Sequence, residues 1–130
     1  MQATYAADLA EYYEGDREYE VGTVLMLGGD KEVTIAKGLG TSAVAGVVSN
    51  NAAYEMYGAC PGFKNLVALQ GRVPCKVIGK IAKGDMLVVS SIPGVAMASH
   101  DPKVGSVIGK ALENYDSDRI GMIEVMVGKH

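Results

Sequence analysis

Residues 22–36 read GTVLMLGGDKEVTIA, and this stretch sets the fold class. Gly22-Thr23-Val24-Leu25-Met26-Leu27 runs into Gly28-Gly29-Asp30-Lys31, which is turn chemistry. Glu32-Val33-Thr34-Ile35-Ala36 then alternates polar and apolar side chains. Glycine takes positive φ at a turn, and alternation puts one face of a strand inward. The stretch therefore predicts a β-hairpin.

The same pattern returns at residues 84–98, GDMLVVSSIPGVAMA. Gly22, Leu25, Val33 and Ala36 fall on Gly84, Leu87, Val95 and Ala98. After one inserted residue, Val44 and Gly46 fall on Val107 and Gly109. Each half reads as a hairpin, a loop and a strand carrying a glycine. Such a unit cannot bury its own apolar face, so two are expected to join in one body.

Further strands follow from the same signals. Residues 43–49 form a short buried strand in which Gly46 marks a bulge or a close backbone approach. Residues 65–79 read as two strands interrupted by Gly71 and Pro74, and Pro74 belongs at an edge or a bulge because it lacks an N–H. Residues 85–90, 95–98, 106–112 and 120–127 complete the set, the last with Met122, Glu124 and Met126 opposite Ile123, Val125 and Val127. Eight or more short antiparallel strands with an approximate internal duplication predict an all-β barrel or sandwich. Residues 5–13 allow two turns of helix, a length that needs packing to hold. The expected division is an N-terminal assembly segment, residues 1–18, and a β-domain, residues 19–130.

Composition narrows the function. The chain has 130 residues, 48% hydrophobic and 21% charged, which fits a globular domain rather than a disordered one. Its net charge is -3 and no basic block occurs, so nucleic acid is not an expected partner. No stretch reaches the roughly 18 apolar residues of a membrane helix, and the first residues lack the basic and apolar regions of a secretory signal. Asp8, Glu11, Glu14, Asp16, Glu18 and Glu20 face only Arg17 nearby, which reads as a solvated acidic face. Cys60 and Cys75 lack metal spacing and are expected as buried thiols.

Little in the sequence carries reaction chemistry. His100 and His130 are isolated, and Ser99-His100-Asp101 places triad residue types next to one another, where they do not align in space. Gly28-Gly29-Asp30-Lys31 lacks the ending of a phosphate loop, and Lys83-Gly84-Asp85 is turn chemistry. Asp8 and Glu11, three residues apart, would share a helix face and could split their pKa values as an acid pair. The simpler reading is a capping box. No metal or cofactor is expected. Tyr54, Met56, Tyr57 and Phe63 make the 50–64 loop too apolar to be freely solvated.

Several segments resemble a module at the C-terminal end of tail-fibre and other virion structural proteins of T4-like cyanobacterial phages. They are Ala7-Asp8-Leu9-Ala10-Glu11, Tyr19-Glu20-Val21-Gly22-Thr23-Val24, Gly71-Arg72-Val73-Pro74-Cys75-Lys76-Val77 and Val107-Ile108-Gly109-Lys110-Ala111-Leu112. More distantly, Asp8-Leu9-Ala10-Glu11 is similar to the start of the peptidase G2-type self-cleaving chaperone domain of phage appendages. That resemblance implies a cut before Asp8, with Asp8 and Glu11 as the chemistry. Ala7 stands where that type has Ser, so the attacking hydroxyl is missing and self-cleavage is not expected. The resemblance implies a homotrimeric virion protein, made in the host cytoplasm. It would act as a fibre or appendage tip, or as a capsid decoration (cement) protein bound to a larger capsid, baseplate or stalk protein. A self-cleaving domain and a receptor-binding tip are the alternatives. The expected contact residues are Tyr5, Leu9, Tyr12, Tyr13, Tyr54, Met56, Tyr57 and Phe63, because Tyr offers a rigid face with a polar tip. Only a few residues precede Asp8, so the chain is expected to be either an excised domain or a free-standing virion protein.

Overall fold

A computed structural model of the protein describes residues 7–50 and 62–128. Among these residues every regular element is a strand. In chain order they are β1 (Ala7–Gly15), β2 (Val24–Leu27), β3 (Val33–Ile35), β4 (Val44–Val48), β5 (Phe63–Ile81), β6 (Met86–Val89), β7 (Ala96–Ala98), β8 (Gly109–Ala111) and β9 (Tyr115–Val127). The all-β architecture read from the sequence is what the chain adopts.

Two rings of strands share β5. The first runs β1-β3-β2-β4-β5 and closes back on β1; the second runs β5-β7-β6-β8-β9 and closes back on β5. Most pairings are antiparallel. The exceptions are the single rungs Gly15 with Val33, between β1 and β3, and Val77 with Ala96, between β5 and β7.

The internal duplication is present rung by rung. In the first ring Ala10 pairs with Ala68, Tyr13 with Asn65 and Gly15 with Phe63. Arg72 with Met126, Cys75 with Ile123 and Val77 with Gly121 take the same places in the second. Leu25 faces Gly46, and Leu87 faces Gly109. The linking hydrogen bonds repeat as well. Gly22 N donates to Val48 O at 2.9 Å and Gly84 N to Ala111 O at 2.8 Å, while Ser49 N donates to Leu66 O at 2.8 Å and Leu112 N to Glu124 O at 3.0 Å. Gly22 and Gly84 hold φ of 92° and 95°, the left-handed region where a Cβ would be strained. The first half of β5 thus closes one unit, and its second half opens the next.

Two sequence expectations are corrected. Over its described part, residues 7–13, the segment expected as a helix is strand β1, laid antiparallel along β5 from Ala7 opposite Gly71 to Gly15 opposite Phe63. A helix of two turns has little stability of its own, whereas an existing strand edge offers a continuous ladder, so tertiary pairing wins. Residues 65–79 are not two strands but part of the single 19-residue strand β5. Gly71, at φ 107°, bends this strand rather than breaking it; Ala7 and Val127 both pair with it. Pro74 is tolerated because its nitrogen points away from β9. Lys76, two residues on and on the same side, sends its N–H to Gly22 O at 2.9 Å.

A main core cluster runs through both units and includes Val24, Val47, Leu66, Ala68, Val73, Val77, Leu87 and Val125. A smaller one gathers Leu25, Val33, Val48 and Val67 under Tyr13 and Tyr19. The rungs move the expected correspondence by one residue in β3, setting Val33 on Ala96 rather than Val95 and Ile35 rather than Ala36 on Ala98. The second-unit counterparts Leu87, Ala96, Ala111 and Val125 lie in the main cluster, where Cys75 and Ile81 stand in for the two tyrosines.

Gly46 and Gly109 show why the repeat carries a glycine there. A Cβ on Gly46 would strike the carbonyl oxygen of Ala68, and one on Gly109 that of Met126. The obstacle is backbone, which cannot rotate aside. Gly46→Ala and Gly109→Ala should each lower unfolding free energy by about 3 kcal/mol in urea titration, from overpacking.

Candidate interaction site

The junction of the two units opens into a groove of about 960 Å³. Its wall is built from equivalent residues of the two halves: Val44 with Val107, Ala45 with Ile108, Leu69 with Val127. Leu9 and Met126 border it, and none of its described lining residues carries a charge. The duplication makes this site. The same strand start is brought in twice, and Gly46, Gly71, Gly105 and Gly128 present bare backbone along the lining.

Beside the groove lies an outward face whose first-unit counterpart is buried. Val24, Val47, Leu66 and Ala68 are core residues, while Met86, Lys110, Glu124 and Met126 at the matching positions are partly or largely open. Along β9 the outward row contains Ile120 at 52%, Met122 at 49% and Met126 at 41% exposure. Ile123, Val125 and Val127 are buried between them, as the alternation predicted.

Within that row Glu124 is partly buried. Its Oε1 is sealed from solvent with no hydrogen-bond partner. Burial pushes this carboxyl above the usual range, Arg72 opposes the shift, and Glu113 adds to it.

A second cavity of about 480 Å³ lies between Tyr12, Tyr19 and Asn65 and includes Glu18, Glu20 and Lys64. Buried Asn65 pins its rim, donating from Nδ2 to Arg17 O and accepting from Tyr19 N, both at 2.9 Å. Tyr19 donates to Asp16 at 2.7 Å, and this bond is the main reason the Asp16 carboxyl is held below its usual range. Lys76 pairs with Glu20 and likewise lowers its pKa. The acidic run is therefore in part a bonded turn, rather than wholly a solvated face. Arg17 stacks over Tyr19 at 5.6 Å.

The residues expected to form one contact patch are spread out. Leu9 borders the groove, near the Ala7 end of β1. Phe63, 53% exposed, is at the other end of the same ladder, opposite Gly15. Tyr12 and Tyr13 point to opposite faces, Tyr12 against the main cluster and Tyr13 against the smaller one. Tyr5, Tyr54, Met56 and Tyr57 lie outside the described residues, as do Cys60 and His130.

As for reaction chemistry, β1 removes the helix face on which Asp8 and Glu11 were to meet. The Asp8 side chain is also outside the described residues. Glu11 accepts a hydrogen bond from Tyr13 at 3.1 Å, and burial chiefly raises the Tyr13 pKa. His100 and Asp101 are exposed in a turn. Ser90 is used locally, donating to Ile92 O at 3.2 Å and accepting from Ile92 N at 3.1 Å. Cys75 is a free buried thiol, pushed up to about 12 by burial, as a structural cysteine should be.

No family model matches this chain, and no curated protein matches it in sequence.

Val107, Ile108 and Met126 were not among the expected contact residues. Two signals pointed to them: the Val44–Val107 correspondence of the repeat and the alternation in β9.

A carboxyl whose folded pKa is raised favours the protonated form in the fold. Its cost is absent below the unfolded value of 4.5 and appears as pH rises past it. Glu124→Gln should therefore gain stability over the parent at pH 7 and lose that advantage near pH 4, read from paired urea titrations at the two pH values.

Proposed function

We propose that this chain is an assembly module of a phage particle, a homotrimer that works by binding copies of itself and a larger virion protein. The observation that carries this reading is the uncharged groove between the two units, with exposed Met126 at its border and exposed Met122 and Ile120 farther along β9, beyond Glu124. An apolar groove with exposed methionines beside it on a small domain marks an interaction site. The first-unit counterparts of Glu124 and Met126 are buried Leu66 and Ala68, so this part of the sheet face already tolerates cover. The sequence resemblance to virion modules supplies the setting, either a fibre or appendage tip or a decoration (cement) position on a capsid.

A standard interface takes about 800 Å² from each partner, which suits a continuous groove and strand face better than scattered tyrosines. The module carries out no reaction. Its β1 segment serves as a structural strand and an assembly element rather than as a cleavage site.

Native mass spectrometry together with light scattering at micromolar concentration should return a trimer, and Met126→Lys should shift it towards monomer. A monomer at tens of micromolar would overturn the reading. Antibodies raised against the chain should label intact phage particles. Incubated protein should keep its full mass, with no fragment beginning at Asp8.

A further inference from the structure

The chain joins its two units through a face of the first. Val24, Val47, Leu66 and Ala68 lie in the cluster that holds the inner residues of the second unit, Val77, Val89, Ala96 and Val125. Leu25, Val48 and Val67, on the other side of the same strands, form the separate small cluster. Backbone bonds seal this joint. Val24 N donates to Gly94 O at 3.0 Å, Gly94 N to Ala36 O at 2.8 Å, Gly40 N to Val89 O at 2.8 Å and Lys76 N to Gly22 O at 2.9 Å. We propose that a second copy of this chain docks head to tail on the open face of the second unit, so that the joint inside one chain is repeated between chains. The proposal rests on the assembly reading above and names the contact that carries it.

Both halves of that joint recur in exposed form. The donor face is the one already described: Met86, Lys110, Glu124 and Met126, partly or largely open, match buried Val24, Val47, Leu66 and Ala68. The acceptor end is found the same way. Val89, Gly94 and Val95 are buried in the second unit, and two of them bond to the first. The rungs of β2 and β6, with the matching bonds Gly28 N to Glu32 O and Ser90 N to Val95 O, set them on Leu27, Lys31 and Glu32. All three are exposed, Leu27 at 58%. One bond shows the substitution directly. The Lys76 N–H crosses the joint, whereas that of its counterpart Glu14 is taken by Glu32 Oε1 at 2.8 Å, a side chain standing where a neighbouring unit would be. Repeated units stack by burying such faces in succession, and here the succession stops after two.

Charge selects this occupant. On the rungs of the donor face Arg72, Lys76 and Lys110 outnumber Glu124. Around the acceptor end Glu11, Glu14, Asp16 and Glu32 outnumber Arg17 and Lys31. Two donor faces set against each other would oppose like charges, and so would two acceptor ends, whereas head on tail brings opposite signs together. A contact between unlike surfaces is heterologous, and in a trimer it closes as a ring.

The test blocks one half of the joint at a time. Leu27→Lys spoils the acceptor end and Met126→Lys the donor face, each at an exposed position. Native mass spectrometry and light scattering at micromolar concentration should find each variant alone a monomer where the parent is a trimer, since every copy then lacks the same half. Mixed in equal amounts they should form a dimer, because one intact donor face meets one intact acceptor end. Either variant still forming the trimer would overturn the head-to-tail joint and leave the assembly reading standing. Two folded variants that remain monomers on mixing would overturn the joint as well. If a variant loses the slowly exchanging amides of β5 it has unfolded, and carbodiimide cross-linking of the parent, mixed from heavy and light isotope-labelled copies, decides. It should join Lys110 of one copy to Glu14 or Glu32 of another, and a trimer without that link would overturn the joint. A parent that stays monomeric would end both readings.

Discussion

Both rings of strands close on β5. Its first half accepts β1 and β4, its second half accepts β7 and β9, and Gly71 sits where one set gives way to the other. The 19-residue strand must therefore change partners without interrupting its backbone. A residue with a Cβ is strained at the φ of 107° held there, so the bend depends on glycine. Because one strand serves two closed units, neither ring can be removed without leaving half of β5 unpaired. A single body whose main core cluster runs through both units follows from that sharing.

The two units have kept their wiring and diverged in their surfaces. The rungs, the linking hydrogen bonds and the glycines at close approaches correspond throughout, because each is set by backbone geometry. Side chains at the same rungs have parted. Tyr13 and Tyr19 cap the small cluster where Cys75 and Ile81 fill the large one. Val47 and Ala68 lie in the core where Lys110 and Met126 face outward. Duplication gave a scaffold in which one copy of a face can be buried while the other remains free to meet something else.

Much of this was legible in the sequence because it rests on short-range rules. Paired glycines and alternating side chains located β2 and β3, a Ser-Ser-Ile-Pro-Gly turn between apolar runs located β6 and β7, and their correspondence exposed the repeat. The row of Met122 and Met126 followed from period-two alternation in β9. The failures were non-local. Residues 7–13 have weak local preference, and only the neighbouring β5 makes them a strand. Gly71 and Pro74 read as stops because a sequence cannot show that one bends the strand and the other faces a side with no ladder. The groove has no sequence motif, since it exists only where two distant strand starts are brought together; what could be read was that Val44 and Val107 correspond.

Ala7 and Val127 answer the same residue, Gly71, from the two extremes of the described chain. In topological terms the described chain is nearly a circle, with its seam at the mouth of the groove. Whatever the chain carries before Ala7 and whatever it carries after Val127 therefore set out from neighbouring points beside Gly71.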